Sequence, residues 1–259
     1  MHSPIAVAMP ILPALSRSRA PTSLVALWLL LVAPSPGLAQ TGAPAGEWPV
    51  YGGDPGHTRY SALDQIDADN VGDLEIVWRW NARNFGPNPY IRSATTPLMI
   101  NGVLYATAGM RRSVVAIDAG TGETLWVWRM DEVERLSEAP RANPGRGVAY
   151  WTDGAGDERI LVVTPGYHLA ALDAKTGLPV DGFADGGILD LNDGHRTRDG
   201  IPLVGTIGAS SPPTVVDDVV VVGSAHHVGL RPPSRVNTPG DVRGFDVRTG
   251  ETLWTFKTI

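Results

Sequence analysis

The chain contains no cysteine, which removes disulfides, covalently attached c-type haem, iron–sulfur clusters and cysteine-ligated zinc from this stretch. An apolar stripe at the 3.6-residue helical period is also missing; the apolar runs are short and β-branched. No cluster of Lys and Arg stands out, and the formal net charge is −6, so nothing here would neutralise a phosphate backbone. Mild acidity of this kind serves solubility. Nor is there an uninterrupted segment of membrane-spanning length. The most apolar stretch, Leu24 to Ala33, is closed off by Pro34 and Pro36 and is short for a span.

What the chain has in quantity is glycine (30) and proline (22), about a fifth of its 259 residues. Such a composition favours many turns and short strands over long helices, while 43% apolar content is enough for a sizeable core. The fold class expected is all-β. A protein without disulfides needs that core to be well packed.

Residues 1–39 read as a targeting segment. Arg17 and Arg19 form a positive n-region, Leu24 to Ala33 the apolar region, and Gly37 and Ala39 place small residues where a signal peptidase reads. Cleavage would take away two arginines and no acids, leaving a charge of −8. The expectation is an exported, periplasmic protein, with residues 40–46 as a flexible leader and 47–259 as the folded part. The alternative for 1–39 is an uncleaved anchor, the one route to membrane association that the sequence offers.

Three near-copies of one phrase follow: Ala116 to Trp126, Gly244 to Trp254, and a worn copy from Ala171 to Gly177. In each, an apolar strand ends on an aspartate, Thr-Gly makes a hairpin turn, and in the first two a Leu-Trp strand returns. The aspartate can accept hydrogen bonds from turn amides, Gly122, Gly177 and Gly250 can take positive φ, and the tryptophan offers a flat surface for packing one sheet on the next. Asp118, Asp173 and Asp246 are 55 and 73 residues apart. Recurrence at that spacing, with irregular insertions, predicts β-propeller blades of four strands rather than a solenoid.

Strands are expected over 74–80, on both sides of the Asn101-Gly102 turn within 97–108, over 112–118 and 123–129, then 147–152, 159–164 and 168–173. Two more flank Asp217-Asp218 within 213–224. Residues 132–144 read as polar and irregular, 181–202 as a Gly/Asp-rich excursion and 226–240 as a Pro-rich loop. This makes three to four blades. Three cannot close a ring, and Ile259 directly follows a Trp strand, so the expectation is the N-terminal part of a longer propeller with exposed sheet edges.

With those residues in view, the chain resembles the pyrroloquinoline-quinone (PQQ) dependent dehydrogenases, which are eight-bladed propellers. The phrase Ala-x-Asp-x-x-Thr-Gly-x-x-x-Trp at 116–126 is similar to that family's repeat. The segment from Trp48 through Tyr60-Ser61, Gln65-Ile66, Asn70-Val71, Leu74 and Trp78 resembles its opening signature, and Arg146-Gly-Val-Ala-Tyr150 a further motif. The resemblance covers 47–259. It implies an exported enzyme that oxidises an alcohol or a sugar such as glucose with PQQ and calcium, and passes electrons to a quinone or cytochrome. It further implies that Arg146 contacts the anionic cofactor, as a bidentate, permanently charged guanidinium suits, and that the Ser210 hydroxyl bonds a PQQ carboxylate.

Departures from the pattern matter. Pro140-Arg141 stands where many members carry a cysteine pair, Ala94 stands in place of a glutamate, and the first calcium carboxylate is missing from Ala225-His226-His227-Val228. No metal ligand is therefore assigned. Adjacent His226 and His227 would face opposite sides of a strand, and the acidic run Asp190 to Asp199 lacks calcium-loop spacing and reads as solvated. In the relatives the catalytic aspartate lies in later blades, so no catalytic residue is assigned and residues 1–259 alone are not expected to turn over substrate. The alternative function is a non-catalytic propeller scaffold of the outer-membrane-assembly type, which carries the same repeat.

Overall fold

The three Asp-x-x-Thr-Gly phrases fold alike. A computed structural model of the chain describes residues 42–44, 46–86, 93–193, 197–198, 201–202, 207–226 and 238–258; the expected signal peptide lies outside them. At each turn one carboxylate oxygen caps the amides that follow. Asp118 Oδ1 accepts from the Thr121 N–H at 2.7 Å and its hydroxyl at 2.8 Å. Asp173 Oδ1 does the same with Thr176, both at 2.8 Å, and Asp246 Oδ1 accepts from the Arg248 and Thr249 amides at 2.9 and 2.8 Å. The glycine N–H then donates back to the aspartate carbonyl at 2.8, 2.8 and 2.9 Å. Gly122, Gly177 and Gly250 take φ of 76°, 72° and 77°, as the left-handed turn requires.

Among the described residues these turns join the third and fourth strands of the first and third of three four-stranded antiparallel sheets; in the second the turn opens a longer connection. Sheet one is β1 (Leu98–Ile100), β2 (Val103–Ala108), β3 (Ser113–Asp118) and β4 (Thr124–Trp128). Sheet two is β5 (Ala149–Thr152), β6 (Glu158–Val163), β7 (His168–Asp173) and β8 (Ile188–Asp190). Two short ladders pair β9 (Thr197–Arg198) with β10 (Ile201–Pro202), and β11 (Ile207–Gly208) with β14 (Ala225–His226). Sheet three is β12 (Thr214–Val216), β13 (Val219–Val222), β15 (Val242–Asp246) and β16 (Thr252–Phe256).

The centres of the middle strands are mostly apolar because both of their faces are buried. Alternation along a strand sends successive side chains to opposite sides. Ile160 and Val162 pack with Leu98, Val114 and Ala116 of sheet one, while Leu161 and Val163 pack with Val220, Val222 and Phe245 of sheet three. Each sheet thus shares a core with its neighbours. Among the described residues, the outward face of sheet one, Ala106, Ala108, Val115 and Ile117, is covered by Trp78, Trp80 and Phe85, and the two tryptophans also line an open cavity of about 520 Å³.

Docking of one unit on the next turn recurs down the chain. The Trp78 indole lies over Gly122 and its Nε1 donates to the Ala119 carbonyl at 3.1 Å; Trp126 lies over Gly177 and donates to Ala174 at 3.0 Å. A Cβ on Gly177 would stand 2.5 Å from the Trp126 ring, so this glycine is needed for close approach as well as for φ. The worn phrase has no tryptophan to offer sheet three. Phe183, fully buried, takes that place beside Gly250, with the Ala184 N–H bonded to the Thr249 carbonyl at 2.9 Å.

Three expectations change. Residues 74–80 form no ladder: alternation favours an extended chain, but a strand also needs a hydrogen-bonding neighbour, and Leu74, Ile76 and Val77 remain 60%, 68% and 84% exposed. Only the tryptophans of that segment find a surface. The 181–202 excursion hides β8, whose three residues complete sheet two. The 132–144 stretch carries a short helix, α1 (Val133–Glu138).

Candidate functional site

The lead-ins to the first strands of the three sheets touch one another. The Thr96 N–H donates to the Arg146 carbonyl at 3.0 Å, and the Arg146 N–H donates to the Ser210 carbonyl at 2.9 Å. This ladder gathers the lead-ins to the edge strands β1, β5 and β12 and makes Arg146 and Ser210 backbone neighbours. The two residues singled out from the sequence, 64 positions apart, are therefore neighbours. Arg146 is exposed and its guanidinium makes no hydrogen bond or ion pair among the described residues; Ser210 is half-buried with its hydroxyl likewise unengaged. Ala94, exposed two residues before Thr96, supplies no polar group.

The glycines around Arg146 hold it there. Gly147 has φ 128°, and a Cβ on it would lie 2.7 Å from the Thr96 carbonyl oxygen. Gly145 has φ 71°, and a Cβ on it would lie 2.7 Å from Arg112 Nε. Any side chain at either position would push the chain away from its neighbours, so the Gly-Arg-Gly sequence lifts one long cation out of a tightly packed rim.

Behind the rim lies a buried polar network that sequence reading did not find. Glu132 Oε1 accepts from the Thr164 hydroxyl at 2.5 Å and meets His168 Nδ1 at 2.6 Å, and Oε2 accepts from the Gly166 N–H at 2.9 Å. Arg135 donates to His168 Nε2 at 2.7 Å and forks onto Asp190 at 3.0 Å through each nitrogen. Because a guanidinium only donates, His168 Nε2 is the acceptor in that contact, which leaves Nδ1 to donate to Glu132. Burial raises the Glu132 carboxyl, but hydrogen bonds from His168, Thr164 and Gly166 outweigh it and hold the group below its ordinary range. Asp190 is likewise lowered: burial opposes, while Arg135 and the Asn192 N–H prevail. The network ties α1 to the β6–β7 turn. Asp190, expected to be solvated, is half-buried within it.

Among the described residues no three His, Asp or Glu side chains are grouped to hold a metal ion. Of the Ala225 to Val228 segment, Ala225 and His226 form β14 and the rest lies outside those residues. The donors present, an unengaged guanidinium and an unengaged hydroxyl on residues joined by a backbone hydrogen bond, are of the kind that pair with carboxylates.

Four-stranded antiparallel sheets stacked face to face, with aromatic side chains docked on successive Thr-Gly turns, define a segment of a β-propeller. The chain belongs to the PQQ-dependent dehydrogenase β-propeller family: the family model described as "PQQ: Glucose/ethanol/alcohol dehydrogenase, beta-propeller domain" matches residues 48–259. It is 31% identical over 227 residues to the glycerol dehydrogenase large subunit of Gluconobacter oxydans (strain 621H), covering 84% of this chain and 29% of that protein. It is also 31% identical over 223 residues to the quinoprotein glucose dehydrogenase of Escherichia coli (strain K12), covering 81% of this chain and 27% of that protein. The crystal structure of quinohemoprotein alcohol dehydrogenase from Comamonas testosteroni superposes with a TM-score of 0.60 at 26% identity, over 85% of this chain and 28% of that one. The chain thus spans under a third of the length of the relatives it matches.

Proposed function

We propose that residues 47–259 are the N-terminal part of an exported, eight-bladed PQQ-dependent dehydrogenase that oxidises an alcohol or a sugar of the glucose type and passes the electrons to a quinone or cytochrome. Residues 1–39 direct export. The observation that carries this reading is the Arg146 guanidinium, unengaged among the described residues, on a backbone bonded to Ser210 where the lead-ins to the three edge strands meet. Bound PQQ supplies a quinone carbonyl that accepts hydride from the substrate carbon.

This chain's residues bind and orient. Arg146 pairs with a cofactor carboxylate, its planar fork fixing direction as well as charge. Ser210 donates its hydroxyl to a second carboxylate oxygen. The backbone ladder Thr96–Arg146–Ser210 sets the spacing between them, and the Glu132 network keeps the connection that precedes Arg146 in place. Calcium belongs to the same reading only through residues outside those described. The acid–base group that takes the hydroxyl proton is supplied by another part of the protein.

The test is dye reduction by the protein expressed over its complete reading frame, with a panel of primary alcohols, polyols and aldoses, with and without added PQQ. Turnover with at least one class that depends on PQQ is expected. A protein that folds, takes up no PQQ and reduces no dye would contradict the reading and favour the scaffold.

A further inference from the structure

Arg112 is a buried, heavily bonded side chain that has no place in the reading so far. It sits in the β2–β3 turn of sheet one at φ 51°, and it is 2% exposed. Its guanidinium gathers carbonyl oxygens from three separate segments. Nε donates to Asn143 at 3.2 Å and Nη2 to Arg141 at 2.8 Å, both in the connection between sheets one and two. Nη1 donates to Val163 at 2.7 Å, at the end of β6, and to Ala209 at 2.6 Å, in the lead-in to sheet three. One side chain therefore anchors pieces of all three sheets at the end where Arg146 stands.

Those anchors flank Arg146 on both sides. Asn143 precedes it by three residues, and Ala209 adjoins Ser210, whose carbonyl receives the Arg146 N–H at 2.9 Å. Gly145 is closed down onto the Arg112 side chain, with no room for a Cβ. A planar fork with five N–H donors can span such divergent acceptors; a lysine ammonium, with donors radiating from one atom, cannot.

The geometry points to Arg112 as a positioning residue for the anion-binding rim: it holds the Arg141–Arg146 connection and the Ala209–Ser210 lead-in in register, so that the Arg146 guanidinium and the Ser210 hydroxyl address the same ligand. This rests on the reading that Arg146 binds PQQ. Arg112 itself is buried against backbone and touches no ligand. Its contribution is transmitted through Arg146.

The experiment is a double-mutant cycle on PQQ affinity, followed by the spectral change of PQQ added to the complete protein. Arg146→Ala and Arg112→Lys are each expected to weaken binding about tenfold or more, and the double variant to be within about threefold of the weaker single one, because the two changes remove the same interaction. Penalties that multiply in the double variant, or an Arg112→Lys protein that binds as tightly as the parent, would overturn the assignment. Failure of the parent protein to bind PQQ would remove the underlying reading instead, and the two failures are told apart by that first titration. Should Arg112→Lys not fold, Gly145→Ala decides: it keeps the guanidinium but displaces it, and a folded Gly145→Ala protein with unchanged PQQ affinity would equally sink the proposal.

Discussion

Replacing Gly177 by alanine separates two demands that the docking turn places on one position. The first is conformational: at φ 72° an L-residue costs about 1–2 kcal/mol. The second is steric. The new methyl would stand 2.5 Å from the Trp126 indole, which must give way, and forcing a group into a packed contact costs about 1–3 kcal/mol. Moving the ring also stretches the Trp126 Nε1 bond to the Ala174 carbonyl, 3.0 Å long, whose loss is worth about 1 kcal/mol. The expected destabilisation is about 3–6 kcal/mol. Gly102→Ala is the control. Its φ is 80°, but a Cβ there meets no heavy atom within 4 Å, so it carries the conformational cost alone, about 1–2 kcal/mol. Urea unfolding of the complete protein, followed by circular dichroism, measures both. Equal destabilisation by the two variants would refute the docking argument, because the steric cost would then be absent.

Phe183→Ala should be as damaging as losing a docked tryptophan, about 3–5 kcal/mol in the same assay, since Phe183 fills the place on Gly250 that the worn phrase leaves without one. Glu132→Gln should destabilise by about 1–3 kcal/mol near neutral pH by weakening its hold on His168, Thr164 and Gly166. The folded-state Glu132 carboxyl titrates below its unfolded value, so the stability it contributes is present above the ordinary carboxylate range and fades as pH falls through the lowered one. The gap between parent and Glu132→Gln should therefore close on acidification, and a gap that widens below about pH 4 would show the sign to be wrong. Ser210→Ala should weaken PQQ binding by about three- to tenfold, less than Arg146→Ala, because a neutral hydroxyl is lost rather than a charge; equality of the two would contradict the roles assigned.

Local chemistry was legible wherever a short phrase determines its own geometry. Asp118, Thr121 and Gly122 lie within five residues and make a turn that needs no tertiary help, so the turn and its flanking strands could be read directly. Tryptophan at a fixed distance from that turn implied sheet-on-sheet docking, because a large flat side chain returning on a half-exposed strand needs a surface. The 74–80 segment shows the limit. Its alternation is that of a strand, yet whether a strand pairs depends on a neighbour that local sequence does not name. β8 failed to register for the opposite reason: Ile188 to Asp190 is too short to stand out among glycines and aspartates.

The site divides in the same way. Arg146 and Ser210 were visible through a motif, and the structure adds that their backbones are bonded to each other. Arg112 and the Glu132–His168–Arg135–Asp190 network were not visible, since their partners are backbone carbonyls and side chains 29 to 97 positions away. A buried arginine opening an apolar strand, at Arg112-Ser113-Val114, and glycines on both sides of Arg146 were the signals on offer. Each makes sense only once the other is seen packed against it.

A crystal structure of the complete protein with PQQ bound tests the central claim most directly. The account predicts a cofactor carboxylate within hydrogen-bonding distance of the Arg146 guanidinium, about 2.7–2.9 Å, with the Ser210 hydroxyl on the same ligand and the Thr96–Arg146–Ser210 ladder intact. PQQ seated elsewhere, or seated at this rim while Arg146 pairs with a protein carboxylate, would contradict it.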